Sequence, residues 1–256
     1  MQIDLTEKVV VVTGSARRVG RAILLGFARA GAHVVVHHSG ASDEQARDTV
    51  REARSLGARA MAVQADIRDP EQVAAAFDQI MAEFGRVDVL VNSASSFEAR
   101  PLLDITPDEW NAVMDSNVNG AFYCTRLAGQ IMRDQGIAGC IINIADNAGL
   151  RPWLKRPHHS VSKAALIMLT EVTARSLAQY QIRANCLVLG PVLPTEGGTP
   201  DFWKTVEARL PLKRSGDPDD AARAAIFLAR NDFITGAVLR VDGGEWLGDA
   251  THDYNA

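Results

Sequence analysis

The stretch Val9-Val10-Val11-Val12-Thr13-Gly14-Ser15-Ala16-Arg17-Arg18-Val19-Gly20-Arg21-Ala22-Ile23-Leu24 decides the fold. Four consecutive β-branched residues read as a strand buried on both faces. A turn holding Gly14 and Gly20 follows, and helical spacing sets in from Arg18. Strand, glycine turn and helix in this order open a βαβ unit, in which backbone N–H groups and a helix N-terminus can approach a pyrophosphate. The strict G-x-G-x-x-G spacing is absent, so the turn alone fits both a dinucleotide site and an ordinary tight turn.

Working outward, further short apolar runs lie at Val34 to Val36, Val87 to Val91 and Cys140 to Ile144, with weaker ones at Ala60 to Gln64, Ile182 to Val188 and Ala237 to Val241. Helical spacing fills Arg18 to Ala30, Ser42 to Leu56, Pro70 to Phe84, Asp108 to Met132, His159 to Tyr180 and Asp217 to Ala229. Such alternation implies right-handed crossovers and a parallel sheet covered on both faces. The expected fold is α/β and Rossmann-like: a doubly wound, mostly parallel seven-stranded sheet with helices on both faces. No repeat or composition break divides residues 1–256, so a single domain is expected. Pro191, Pro194, Gly197, Gly198 and Pro200 mark the one long loop, and 191–211 is the expected substrate loop.

Composition narrows the partners. With 31 acidic against 27 basic residues, a net charge of −4 and no basic block, a nucleic-acid footprint is missing. No apolar run approaches the length of a membrane span, and charges in Met1 to Glu7 argue against a signal peptide. Cys124, Cys140 and Cys186 are scattered and fit no metal-ligand spacing, which suits a reducing cytoplasm. No metal is expected.

The second strand ends in His37-His38-Ser39, where an acid would hydrogen-bond a ribose diol. With no carboxylate there, Arg17, His38 and Ser39 could donate to a 2′-phosphate, which favours NADP(H). Alternatively, His37 and His38 merely end a strand at the surface.

At this point the chain resembles the short-chain dehydrogenase/reductase family over nearly its whole length. Thr13 to Gly20, including Val19, resembles the family's cofactor turn, Asp66-Ile67 its adenine contact, and Asn92-Ser93-Ala94 its N-N-A-G segment. Asn117 resembles its active-site Asn, Lys163 the Lys of its Y-x-x-x-K motif, Asn185 to Val192 (with Gly190) its N-x-x-x-P-G strand end, and Val241 to Gly244 its V-D-G-G. Arg18, Ser95, Phe97 and Asp146 are similar to residues of pteridine reductases. The resemblance implies that Arg18 reaches cofactor phosphates and substrate, Ser95 contacts both, Phe97 stacks on the pterin and Asp146 takes part in proton delivery. His159 stands where the motif has Tyr, four residues before Lys163 and thirteen after Asp146.

An imidazole exchanges protons near neutrality, so His159 is expected to act as general acid beside Asp146, with Lys163 holding ribose hydroxyls. His158 is read as its solvent-side neighbour. Asp146 could otherwise be a simple turn cap. Phe97, Trp153 and Trp203 offer flat surfaces, and Arg18 or Arg151 polar contacts, for a planar substrate. The leading expectation is an NADPH-dependent reductase of a C=N bond in a dihydropteridine or cyclic imine. The alternatives are a carbonyl or 3-oxoacyl reductase and a degenerate cofactor-binding protein. Resemblance further implies a homodimer or homotetramer joined through the two long helices.

Overall fold

The structure, a computed structural model, describes residues 2–194 and 199–248. Residues 195–198 of the expected substrate loop therefore lie outside the described residues. Seven strands form one sheet: β1 (Val9–Val12), β2 (His33–His38), β3 (Ala60–Gln64), β4 (Val89–Asn92), β5 (Cys140–Asp146), β6 (Arg183–Leu189) and β7 (Val238–Val241). Their order is β3-β2-β1-β4-β5-β6-β7, and every ladder is parallel. An antiparallel bridge from Gln2 to Asn231 lies outside the sheet.

The crossovers are α1 (Arg18–Arg29), α2 (Asp43–Ser55), α3 (Pro70–Phe84), α4 (Pro107–Met114), α5 (Gly120–Asp134), α6 (Pro157–Leu177), α7 (Pro200–Arg209) and α8 (Pro218–Arg230). The pleat divides the valines of β1. Val10 and Val12 pack with Ile23, Leu24 and Phe27 of α1 and Leu228 of α8, whereas Val9 and Val11 pack with Phe77 and Ile80 of α3 and Met132 of α5. Each face of the sheet thus has its own apolar layer, the pattern that continuous β-branched runs require.

The expected helix from Asp108 to Met132 is interrupted. A π-helical turn over Asp115–Asn119 joins α4 to α5 and carries Asn117. The extra residue re-aims the chain without breaking the helix, so apolar spacing does not disclose it. Within 191–211, α7 occupies Pro200–Arg209, capped by Thr199. No helix of the described residues is long and apolar enough to cross a membrane.

Candidate active site

The chain builds the sheet outward from β1 to one side and from β4 to the other. The strand order reverses between these two strands, and their carboxyl ends are the place where open α/β sheets take ligands in a crevice. Thr13 braces its walls: its Oγ1 accepts the N–H groups of Ser93 (2.9 Å) and Ala94 (3.0 Å). A hydroxyl bridge to residues 80 positions away leaves no local sequence signal, although Thr13 lies in the quoted turn.

Gly14 has φ +65°, and a Cβ there would meet Ala94 Cα at 2.8 Å; one on Gly20 would meet the Gly14 carbonyl oxygen at 2.6 Å. The turn must therefore stay free of side chains at both positions. Half-buried Val19 lies between them. Helix α1 begins with no capping side chain and no acid in its first turn, beside exposed Arg17 and Arg18. Such an end receives an anion without a competing carboxylate. These residues fit a dinucleotide pyrophosphate.

The Gly14 N–H donates to His37 Nδ1 (3.1 Å), while His37 Nε2 faces the Ala65 carbonyl at 3.1 Å. The neutral ring with its hydrogen on Nε2 satisfies both. Burial drives the His37 pKa down to about 4, against the opposing Ala65 carbonyl. His37 and His38 do not end a strand at the surface: both are buried, because β2 runs on to pair them with Val63 and Gln64 of β3.

Nor is His38 poised to meet a phosphate. Its Nδ1 accepts the Gly40 N–H (3.2 Å), its Nε2 faces Asp43 Oδ1 at 3.9 Å, and burial lowers its pKa against the pull of Asp43. Asp43, in the first turn of α2, thus brings a carboxylate beside the strand end, paired with Arg47 at 2.8 Å. Arg17 and Ser39 are exposed.

Five other expected cofactor contacts are differently employed. Asn92 is buried, donating through Nδ2 to Asn143 (2.8 Å) and Thr125 (3.0 Å), so its side chain ties β4 to β5 and α5 rather than facing the crevice. Ile67 is buried against Gly120, where a Cβ would lie 2.6 Å from Ile67 Cγ1. Asp66 is held by the Arg68 guanidinium at 2.6 Å, the main cause that takes its carboxyl below the usual range. Gly190 packs on the C-terminal segment, its would-be Cβ 2.7 Å from Asp242 Cα, and Val192 is buried beyond it.

Asp146 closes β5, and His159 and Lys163 lie one turn apart on α6. Asp146 Oδ2 and His159 Nε2 are 2.7 Å apart, and Asp146 Oδ1 accepts the Ala148 N–H at 3.0 Å. Asp146 is therefore both a turn cap and a partner of His159. Burial pushes its carboxyl up, but the His159 hydrogen bond, Lys163 and the Ala148 N–H together outweigh this and hold it below the usual range. With the carboxylate ionised, Nε2 donates. His159 Nδ1 faces the Ser96 carbonyl at 3.1 Å and Asn117 Nδ2 at 3.4 Å. Asn117 clamps the Ser96 peptide, accepting its N–H (2.7 Å) and donating to its carbonyl (3.1 Å), and gives its other hydrogen to Ser162 Oγ (2.9 Å). Lys163 Nζ donates to the Ile144 carbonyl at 2.9 Å, and burial lowers its pKa against the pull of Asp146.

Phe97 meets His159 edge-on at 4.9 Å, and Trp153 stacks beside it at 6.1 Å. Arg156 pins this roof, lying 3.8 Å over the Phe97 ring and donating to the Phe97 carbonyl, while Ser160 Oγ accepts the Trp153 N–H (3.0 Å). The His159 side chain is 1% exposed, whereas Asp146 keeps 21%. His158 is fully buried with both ring nitrogens unpartnered, not solvent-side.

Other expected substrate residues are dispersed. Arg18 donates to the Pro194 carbonyl (3.0 Å), Ser95 is exposed, and Trp203 is half-buried on α7. Arg151 is committed to Trp246, donating to its carbonyl at 3.0 Å and covering its ring. Among the described residues no cluster of His, Cys, Asp or Glu could hold a metal ion.

Residues 14–245 match the family profile described as enoyl-(acyl carrier protein) reductase. The chain is a short-chain dehydrogenase/reductase. It is 36% identical to 3β-hydroxysteroid dehydrogenase 1 of Eggerthella lenta, with 96% of this chain and 97% of that one covered. It is 32% identical to a 3-oxoacyl-[acyl-carrier-protein] reductase of Staphylococcus epidermidis, covering 94% and 99%. The crystal structure of a short-chain type dehydrogenase/reductase from Mycobacterium marinum matches with a TM-score of 0.84 at 30% identity, covering 94% and 96%. This short-chain dehydrogenase/reductase is accordingly an oxidoreductase that uses a nicotinamide dinucleotide, NAD or NADP.

Proposed function

We propose that this enzyme interconverts an alcohol and a carbonyl group, with Asp146 and His159 handling the proton. The 2.7 Å pair at the carboxyl end of β5 carries this reading. Proton exchange at oxygen needs a titratable group open to substrate, and here that group is Asp146, because both nitrogens of His159 are turned into the protein. The dinucleotide, when bound, supplies or accepts the hydride. In oxidation the hydroxyl proton passes to the ionised Asp146, which shares it with His159. In reduction a His159 imidazolium, its Nδ1–H on the Ser96 carbonyl, gives its Nε2 proton to Asp146, which passes it to the alkoxide, and His159 is left neutral. His159 thus stands where the family motif has Tyr, but acts one group further back, through the Asp146 carboxyl.

This reading displaces the C=N reductase expected from the sequence. Both relatives are named for hydroxyl or oxo chemistry at carbon. Reduction of a dihydropteridine or cyclic imine is kept as the second reading on one observation, the flat Phe97 and Trp153 rings beside the pair. NADP(H) remains the proposed cofactor, supported by Arg17 and Ser39; the Asp43 carboxylate opposes it and makes the preference over NAD(H) modest. The substrate loop is 191–211 of a single domain. A homodimer or homotetramer is supported by outward-facing Phe122 on α5 and Val161, Met168 and Val172 on α6, whereas Leu166 is core. Three free buried cysteines support a cytoplasmic location.

The test is nicotinamide absorbance with both cofactors against secondary alcohols, ketones, a 3-oxoacyl thioester, a dihydropterin and a cyclic imine. Turnover of alcohols or ketones is expected. Turnover confined to the imines would transfer the assignment to the second reading, and NADPH binding with no turnover would make the chain a binding protein.

A further inference from the structure

We infer that the substrate carries its reacting carbon on a bulky apolar body rather than on a polyol, because a wall of exposed apolar side chains stands on the two loops whose rings cover the Asp146–His159 pair. This inference rests on the alcohol–carbonyl reading above and adds the substrate class. The wall begins at the pair itself, where Phe97 and Trp153 cover His159, the two rings 6.0 Å apart. It continues on the two loops that carry these rings. The Arg100 N–H donates to the Lys155 carbonyl at 2.9 Å, which sets the loop bearing Phe97, Leu102 and Leu103 beside the loop bearing Trp153 and Leu154.

The exposure along this path is unusual. Leu103 is 95% exposed, Leu154 89%, Leu102 62% and Phe97 40%. Scattered apolar residues on a surface need no explanation, but four on two cross-linked loops that begin at the reacting pair form a surface with a use. The local backbone keeps them outward: Leu102–Asp104 is a short 3₁₀ turn entered from Pro101, too short to tuck both leucines under the chain. Arg156 fixes the inner end of the wall, bonding the ring face and carbonyl of Phe97 together. Fused rings or an acyl chain laid against this wall would bury apolar area on both sides of the contact, a gain that the hydroxyls of a sugar do not offer.

The experiment compares kcat/KM for cyclohexanol, decahydronaphthol, a 3-hydroxysteroid and an aldose, with the matching dinucleotide. Each methylene buried against the wall should raise kcat/KM about fourfold, so a steroid that buries roughly three to four more methylenes than cyclohexanol should exceed it on the order of a hundredfold, and the aldose should be the poorest. In the Leu103→Asp/Leu154→Asp variant the steroid-to-cyclohexanol ratio should fall at least about tenfold through KM, and Leu103→Ala/Leu154→Ala should give a smaller fall. Dinucleotide affinity and circular dichroism establish that each variant is folded. A ratio that does not rise with ring number, an aldose that outperforms the steroid, or a changed molar mass in the aspartate variant would overturn the inference; the last would make the leucines a subunit contact. Failure of every alcohol and ketone, with imines turned over, would instead remove the reading on which it rests.

Discussion

Asp146 Oδ2 and His159 Nε2 lie 2.7 Å apart, yet only Asp146 reaches the crevice. The His159 hydrogen bond is a principal cause holding the Asp146 carboxyl low, so removing the imidazole should raise it. A base must be ionised to take a proton. His159→Phe should therefore move the acid limb of the kcat/KM profile for alcohol oxidation to higher pH, while Asp146→Asn should lower kcat by about 10²- to 10⁴-fold at every pH. An acid limb unmoved in His159→Phe would show that His159 does not act through Asp146.

His37 makes the fold sensitive to mild acid. Its folded pKa is lowered to about 4 from an ordinary 6.5, so the unfolded chain binds the proton first. Stability falls as pH drops from about 6.5 towards 4, by on the order of 3 kcal/mol in full. A protonated Nδ1 also cannot accept the Gly14 N–H, so dinucleotide affinity should decline only as pH falls through about 4. His37→Gln should flatten the slope of stability against pH in denaturant titrations. A slope of equal size in that variant would place the acid sensitivity elsewhere.

Much of the fold was legible because both faces of a parallel sheet must be apolar, and the valine runs of β1, β2 and β4 state this locally. The His159 and Lys163 pair was legible from helical spacing, whereas Asp146 was placed beside them by the resemblance to the family's motif, since the length of the connection from β5 to α6 follows from no local rule. Side-chain direction was not legible. Nothing in Asn92 discloses that its amide is drawn inward by Asn143, nor does His158 disclose its burial. Asp43 escaped for a related reason: it lies just past the strand end, and only the turn into α2 shows that its carboxylate is brought back beside His38. Arg156, Ser160 and Ser162 each act through contacts set by tertiary packing, so no motif marks them.

The crevice walls should tolerate little added bulk. Gly14→Ala places a Cβ in a left-handed position against Ala94, with backbone rather than a flexible side chain as the obstacle. We expect a loss of about 1–3 kcal/mol and dinucleotide affinity weakened about tenfold or more. Thr13→Val keeps the shape but leaves the Ser93 and Ala94 N–H groups without their shared acceptor, a cost of about 1–3 kcal/mol. Calorimetry with and without dinucleotide checks both, and unchanged affinity in Gly14→Ala would refute the close approach.

Arg18 joins backbone strain to a contact across the crevice. Its φ is +57°, a conformation that costs a non-glycine residue about 1–2 kcal/mol, and its guanidinium donates to the Pro194 carbonyl at the entry to the substrate loop. Two substitutions separate these effects. Arg18→Gly removes both the strain and the contact, whereas Arg18→Ala removes the contact and keeps the strain. The glycine variant should be more stable than the alanine variant by about 1 kcal/mol, while substrate KM rises to the same extent in both. If KM rose in neither, the Arg18–Pro194 bond would have no part in positioning the loop; if the two variants were equally stable, the left-handed backbone would carry no strain.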